Sequence, residues 1–250
     1  MFTALKNDFV CGYKDIENKS YAGSSRKHSP SGQAVDTTNG AGPHNIQIFV
    51  MTPDGIVLTC LPGFWHSEDL ANELALAERL NEVWIDPNLS REQKNERFSE
   101  MQLKHLNEHS IAERRRSQMQ HFDVAYEKDK RFRTSDVFNR TLIDPRNADL
   151  NNLPSYAIKT CDVIMHQRMS SRPFVPYSEF DVAAFSDYGK PMYDKNEDSI
   201  AADGSHIAQK SDAPMIGNDP RAHPIKTQAK RQGRNLLMRA ANFGIRAALR

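Results

Sequence analysis

Cysteine is scarce in this sequence, with three cysteines among 250 residues. Cys11, Cys60 and Cys161 lie far apart, and none of them belongs to a CxxC pair. A count of three without framework spacing argues against a disulfide-stabilised scaffold and fits a reducing compartment.

The sequence also lacks long apolar runs and an excess of one charge. No run approaches the ~18–20 apolar residues that cross a bilayer, and the start lacks the pattern of a secretory signal. The 33 Lys and Arg residues nearly balance the 32 Asp and Glu residues, so the whole chain has no general attraction to nucleic acid or membrane. We therefore expect a soluble, cytoplasmic protein.

Common catalytic motifs are missing as well. There is no GxxxxGK[ST] or GxGxxG to hold nucleotide phosphates, and no GxSxG to present a nucleophilic serine. His105 and His109 have the i,i+4 spacing of metal ligands, but they lack the glutamate of HExxH and a recognisable third ligand. The sequence therefore predicts no catalytic residue, no metal ligand and no cofactor.

The clearest structural signal is a hairpin followed by a helix. Residues 46–51 and 56–61 are apolar, strand-like runs joined by Thr52-Pro53-Asp54-Gly55, in which proline, aspartate and glycine each favour a turn. Ser67 is a suitable N-cap for the helix that follows. Apolar residues then recur at helical spacing: Leu70, Leu74, Ala77, Leu80 and Trp84.

Beyond this unit the sequence predicts a modular arrangement. We expect a domain over residues 1–86, a charged helical extension over 87–135, an irregular and helical segment over 136–195, and a disordered linker with a basic tail over 196–250. Ser90 and Gln93 form a capping-box pattern at the start of a helix over 91–109. A stripe from Ile158 to Met169 predicts another helix, and residues 172–194, with six aromatics among prolines and acids, are expected to lie on a surface.

The stretch over residues 4–84 resembles the C-terminal half of the thioredoxin-like superfamily. There, a helix leads to a strand, here predicted over Phe9–Tyr13, and a later hairpin with an xxDG turn precedes a closing helix. The resemblance implies an α/β fold with an incomplete thioredoxin-like sheet. This chain has no CxxC, and His44-Asn45-Ile46 stands where the superfamily places a cis-proline, so both halves of the redox site are missing.

An incomplete sheet leaves backbone groups unpaired. The missing strand could precede Met1 in a longer protein, or it could come from another chain by strand donation or homo-oligomerisation. A third solution is direct pairing of the remaining strands under a cover of later helices.

Three groups of residues are candidate sites. Cys11 and Cys60 are candidate thiols, although their apolar strand patterns favour small buried hydrophobes. Phe64, Trp65 and His66 could dock a partner or close the end of the core. The basic tail could bind anionic lipid or nucleic acid, or could only aid solubility, through Lys226, Lys230, Arg231, Arg234, Arg239, Arg246 and Arg250.

Three functions follow as hypotheses. The leading one is a non-catalytic thioredoxin-like protein that binds an unidentified protein partner. The second is a thiol-disulfide oxidoreductase whose active-site half lies upstream of Met1. The third is a nucleic-acid or anionic-membrane binder that acts through the basic tail.

Overall fold

The fold is mixed α/β and combines a two-stranded antiparallel sheet with several helices. The structure is a computed structural model that describes residues 2–23, 38–40, 42 and 44–191. The predicted basic tail and linker over 196–250 lie outside these residues. The elements are α1 (Phe2–Asp8), β1 (Gln47–Met51), β2 (Val57–Pro62), α2 (Ser67–Ile85), α3 (Arg91–Glu108), α4 (Ile111–Arg116), α5 (His121–Tyr126), α6 (Cys161–Ser170) and α7 (Val182–Phe185).

The hairpin and its turn confirm the sequence prediction. β1 pairs with β2 in a register that places Phe49 opposite Cys60 and Val50 opposite Thr59. Gly55 has a φ of +82°, a conformation that glycine adopts without the steric penalty of a Cβ. Every residue of β2 is buried, and because successive side chains of a strand point to opposite faces, other parts of the protein cover both faces of β2.

The two long helices were also predicted, and one of their start signals was correct. The capping box of Ser90 and Gln93 is present at the start of α3. Ser67, by contrast, is the first helical residue of α2, and His66 occupies the N-cap position without a side-chain cap bond. The predicted role of Ser67 as N-cap was therefore wrong by one residue.

The predicted strand over Phe9–Tyr13 does not form. After α1 these residues have no regular structure, and the side chains of Val10 and Tyr13 are fully exposed. A strand needs a neighbouring strand to satisfy its backbone groups, and within the described residues the sheet contains only β1 and β2. Cys11 is consequently exposed, which corrects its prediction as a small buried hydrophobe.

The main hydrophobic core combines residues from the hairpin, α2, α3 and α6 with a late segment of the chain. That late segment was expected to lie on the surface, yet Phe174, Phe180 and Phe185 are buried. It is held against the sheet by a hydrogen bond of 2.9 Å from Val57 N–H to the Val175 carbonyl. Its prolines suit an irregular backbone, while its aromatic rings fill the core.

A second hydrophobic cluster is formed by residues between α4 and α6, by α6 itself and by the late segment. It includes Phe132, Phe138, Ile164 and Tyr188. After α3, the charged helical extension predicted over 87–135 consists of α4, α5 and a π-helical turn at Glu127–Arg131. None of the helices among the described residues combines the length and the apolar character needed to cross a bilayer.

Candidate metal centre

A carboxylate interrupts the apolar face of α2. Glu73 lies one helical turn from Leu70 and from Ala77, and is therefore on the same side of the helix as the core residues. Its side chain is completely buried. A buried carboxylate requires compensating charge or hydrogen bonds, and here the compensating groups come from two other helices.

Three buried histidines surround Glu73. His105 lies in the last turn of α3, His109 follows that helix directly, and His166 lies in α6. The centroids of the three imidazole rings are 4.9–5.2 Å apart, and each pair of rings is inclined by 67–85°. The three rings are therefore grouped edge to face and are not stacked in parallel.

The nitrogen atoms that face Glu73 have the separations expected of ligands to one metal ion. Glu73 Oε1 lies 3.0 Å from His166 Nε2, 3.3 Å from His105 Nε2 and 3.6 Å from His109 Nε2. One potential ligand atom from each of the four side chains lies within 4.8 Å of the other three. Tetrahedral ligands with bonds of about 2.0–2.1 Å are about 3.4 Å apart, which matches the three distances from Glu73 Oε1.

Neighbouring polar groups hold two of the histidines in the orientation that metal binding needs. His109 Nδ1 lies 2.8 Å from Asp162 Oδ2, and His166 Nδ1 lies 2.7 Å from Gln102 Oε1. Since both oxygens can only accept, each Nδ1 carries the hydrogen and donates it. In the neutral ring, Nε2 then has a free lone pair directed at the cluster, as in carboxylate–histidine–metal arrangements.

The cluster also contains atoms without a hydrogen-bond partner. Glu73 Oε2, His105 Nε2, His109 Nε2 and Glu113 Oε1 are buried and unpaired. Buried polar atoms are nearly always satisfied in native proteins, and four such atoms in one place would be costly. A cation among them would accept an electron pair from each.

The charges of the site are strongly coupled. Burial tends to raise the pKa of Glu73, but the surrounding histidines, His166 foremost, outweigh it and hold the pKa well below its usual range. Burial tends to lower the pKa of His109, but Asp162 and Glu73 outweigh it and raise the pKa to about 10. The site therefore favours an ionised carboxylate beside a positive charge, which a proton or a metal ion can supply.

The ligand types restrict the metal. Three imidazole nitrogens and one carboxylate oxygen suit Fe²⁺, Co²⁺, Ni²⁺, Cu²⁺ and Zn²⁺, whereas Ca²⁺ and Mg²⁺ prefer sites made of oxygen atoms. A site with four protein ligands in a buried position is typical of metal ions that stabilise a fold.

The residues predicted as sites from sequence lie elsewhere. Cys60 is fully buried, and burial raises the pKa of its thiol well above the usual value. Trp65 is buried and donates its indole N–H to the Pro62 carbonyl, 3.1 Å away. Phe64 and His66 are half-buried with their rings 5.0 Å apart. All the predicted tail residues lie outside the described part of the chain.

Sequence reasoning noted the spacing of His105 and His109 but predicted no metal ligand, and it did not consider Glu73 or His166. Two signals in the sequence point to them. Glu73 is an acid on the apolar face of an amphipathic helix, and His166 interrupts the apolar stripe of α6. Neither signal gives the distance between the helices, so neither joins these residues to His105 and His109.

No protein-family model, curated protein or solved structure matches this chain. The assignment of the site therefore depends on its geometry.

Proposed function

We propose that this protein binds one divalent transition-metal ion through Glu73, His105, His109 and His166. The observation that carries the proposal is the convergence of three histidine Nε2 atoms on one buried glutamate oxygen at 3.0–3.6 Å. The bound ion would join α2, α3 and α6. Binding energy at such a site becomes folding energy, because the unfolded chain does not hold the four ligands together.

The alternative to metal binding is a hydrogen-bonded network of the same residues without a metal ion. In that arrangement a proton on His109 balances Glu73, and no metal ion is required. Both arrangements use the same residues, so metal content decides between them.

The test is metal analysis of the full chain purified without a histidine tag. We expect about one equivalent of a transition metal after dialysis, or after addition of Zn²⁺ to chelator-treated protein. The variant Glu73→Gln should lose this equivalent. Glu78→Gln, an exposed change on the same helix, should retain it. Wild-type protein that stays metal-free in the presence of Zn²⁺ would refute the proposal.

A thioredoxin-like interaction protein is a second candidate. It is supported by the hairpin with its Thr52–Gly55 turn and by the closing helix α2. It lacks the support of a strand over residues 9–13. Affinity capture with variants at Phe64 would test it, since loss of a specific partner on Phe64→Ser is expected if this corner docks that partner.

Two further hypotheses stay predictions. Coding sequence upstream of Met1 that contains a CxxC would favour the thiol oxidoreductase. Salt-dependent binding of nucleic acid or anionic vesicles that is lost on deleting residues 226–250 would favour the basic-tail binder.

A further inference from the structure

A second carboxylate lies beside the four proposed ligands. Glu113 on α4 is almost completely buried, at 3% exposure, and its Oε1 atom lies 3.6 Å from His109 Nε2. That oxygen has no hydrogen-bond partner. It is therefore an unpaired buried acceptor next to a proposed ligand nitrogen.

The position of Glu113 is fixed by the local backbone. The Ser110 hydroxyl caps α4 by accepting a hydrogen bond from Glu113 N–H at 3.1 Å. His109 immediately precedes the N-cap Ser110, and Glu113 is the third residue of α4, so the two side chains meet where α3 ends and α4 begins. Arg114 adds contacts to the Leu106 and Asn107 carbonyls, which fasten α4 to the end of α3.

Arg116, in the same helix, does not form an ion pair with Glu113. Arg116 instead pairs with Asp69, through a hydrogen bond of 2.9 Å from Nε to Oδ2. Glu113 and Glu73 thus approach the same histidine, at 3.6 Å each from His109 Nε2. Two ionised carboxylates buried beside the same imidazole repel each other unless a cation lies near them, and one divalent ion would balance both charges.

We propose that Glu113 is the fifth protein ligand of the metal ion, which gives a five-coordinate centre of three histidines and two glutamates. This inference depends on the proposed metal-binding function. Equatorial ligands of a five-coordinate ion with bonds of about 2.1 Å are about 3.6 Å apart, the distance between His109 Nε2 and Glu113 Oε1. The additional oxygen ligand shifts the preference of the site toward ions that accept five ligands.

The test is a Co²⁺ titration of the full, tag-free chain followed by visible absorption. Five-coordinate Co²⁺ absorbs more weakly in the visible region than tetrahedral Co²⁺. We expect weak bands for the wild type, stronger tetrahedral bands for Glu113→Gln, and an affinity for Co²⁺ at least about 10-fold lower in that variant. Glu108→Gln, an exposed change just before His109, should leave the spectrum unchanged.

Each alternative outcome has a separate meaning. Wild-type and Glu113→Gln spectra that coincide would overturn the role of Glu113 while leaving the four-ligand site intact. A wild-type protein that binds no Co²⁺ would overturn both this inference and the metal-binding function. If circular dichroism shows that Glu113→Gln is unfolded, Glu113→Asp replaces it, because the shorter side chain withdraws the carboxylate. X-ray absorption of the Zn²⁺-loaded wild type that gives four ligands would also overturn the proposal.

Discussion

His166 Nε2 lies 3.0 Å from Glu73 Oε1, although the two residues are 93 positions apart in the sequence. Both side chains are completely buried, so this contact joins α6 to α2 in the interior of the protein. The same glutamate oxygen faces His105 and His109 on the far side of the site. Glu73 therefore lies within 3.6 Å of all three histidines and is the centre of the cluster.

Removal of the Glu73 charge should abolish tight metal binding. We expect Glu73→Gln to lower the Zn²⁺ affinity by more than about 100-fold, a larger effect than loss of an outer partner of a metal ligand. Isothermal titration calorimetry of chelator-treated protein measures this change. Glu78→Gln is the matched control, and equal affinities for the two variants would contradict the role of Glu73.

Asp162 should support His109 without binding the metal itself. The change Asp162→Asn keeps an oxygen acceptor near His109 Nδ1 but removes the negative charge, so the imidazole becomes a weaker ligand. We expect the Zn²⁺ affinity to fall by about 10–100-fold, with the stoichiometry still near one. Asp129→Asn, an exposed change in the π-helical turn, serves as control. An unchanged affinity in Asp162→Asn would show that this hydrogen bond has no part in metal binding.

Metal affinity should rise with pH. Without a metal ion the pKa of His109 is raised to about 10, so the ring is protonated at neutral pH. A metal ion must displace that proton, and His109 therefore contributes about a tenfold gain in affinity per pH unit until the pH nears 10. Calorimetry at pH 7 in buffers of different ionisation enthalpy should detect proton release. Binding without proton release would contradict the protonated state of His109.

Removal of the metal should destabilise the fold. At a free Zn²⁺ concentration 1,000 times the dissociation constant, binding adds about 4.1 kcal/mol to the free energy of unfolding. For a protein of this size that corresponds to a Tm higher by about 8–16 °C. Differential scanning calorimetry of chelator-treated protein with and without Zn²⁺ provides the measurement. In Glu73→Gln the same addition should leave Tm nearly unchanged, and an equal rise there would assign the effect to another site.

The three thiols should differ in reactivity. Cys11 is exposed, whereas Cys60 and Cys161 are buried, and burial raises the pKa of both buried thiols. A thiol reagent should modify one cysteine rapidly in the native protein and the other two only after addition of denaturant. Cys11→Ser should remove the rapid phase. Rapid modification of three thiols in the native state would contradict the burial of Cys60 and Cys161.

The local elements of the fold could be predicted from the residues alone. The Thr52–Gly55 turn, the amphipathic pattern of α2 and the capping box at Ser90 each act within a few residues, and the physical signals for turns and helices are local. The spacing of His105 and His109 was visible for the same reason.

The assembly of the site and the conformation of residues 9–13 could not be predicted in this way, because both depend on contacts between distant parts of the chain. The residues from Phe9 to Tyr13 were compatible with a strand. A strand forms only where the edge of another strand is available for pairing, and neither β1 nor β2 pairs with these residues. Glu73 and His166 likewise have no local signal that joins them to His105. These side chains meet because α2, α3 and α6 pack around a shared core. The spacing of apolar residues within one helix shows which face is buried, but it does not show which other helix covers that face.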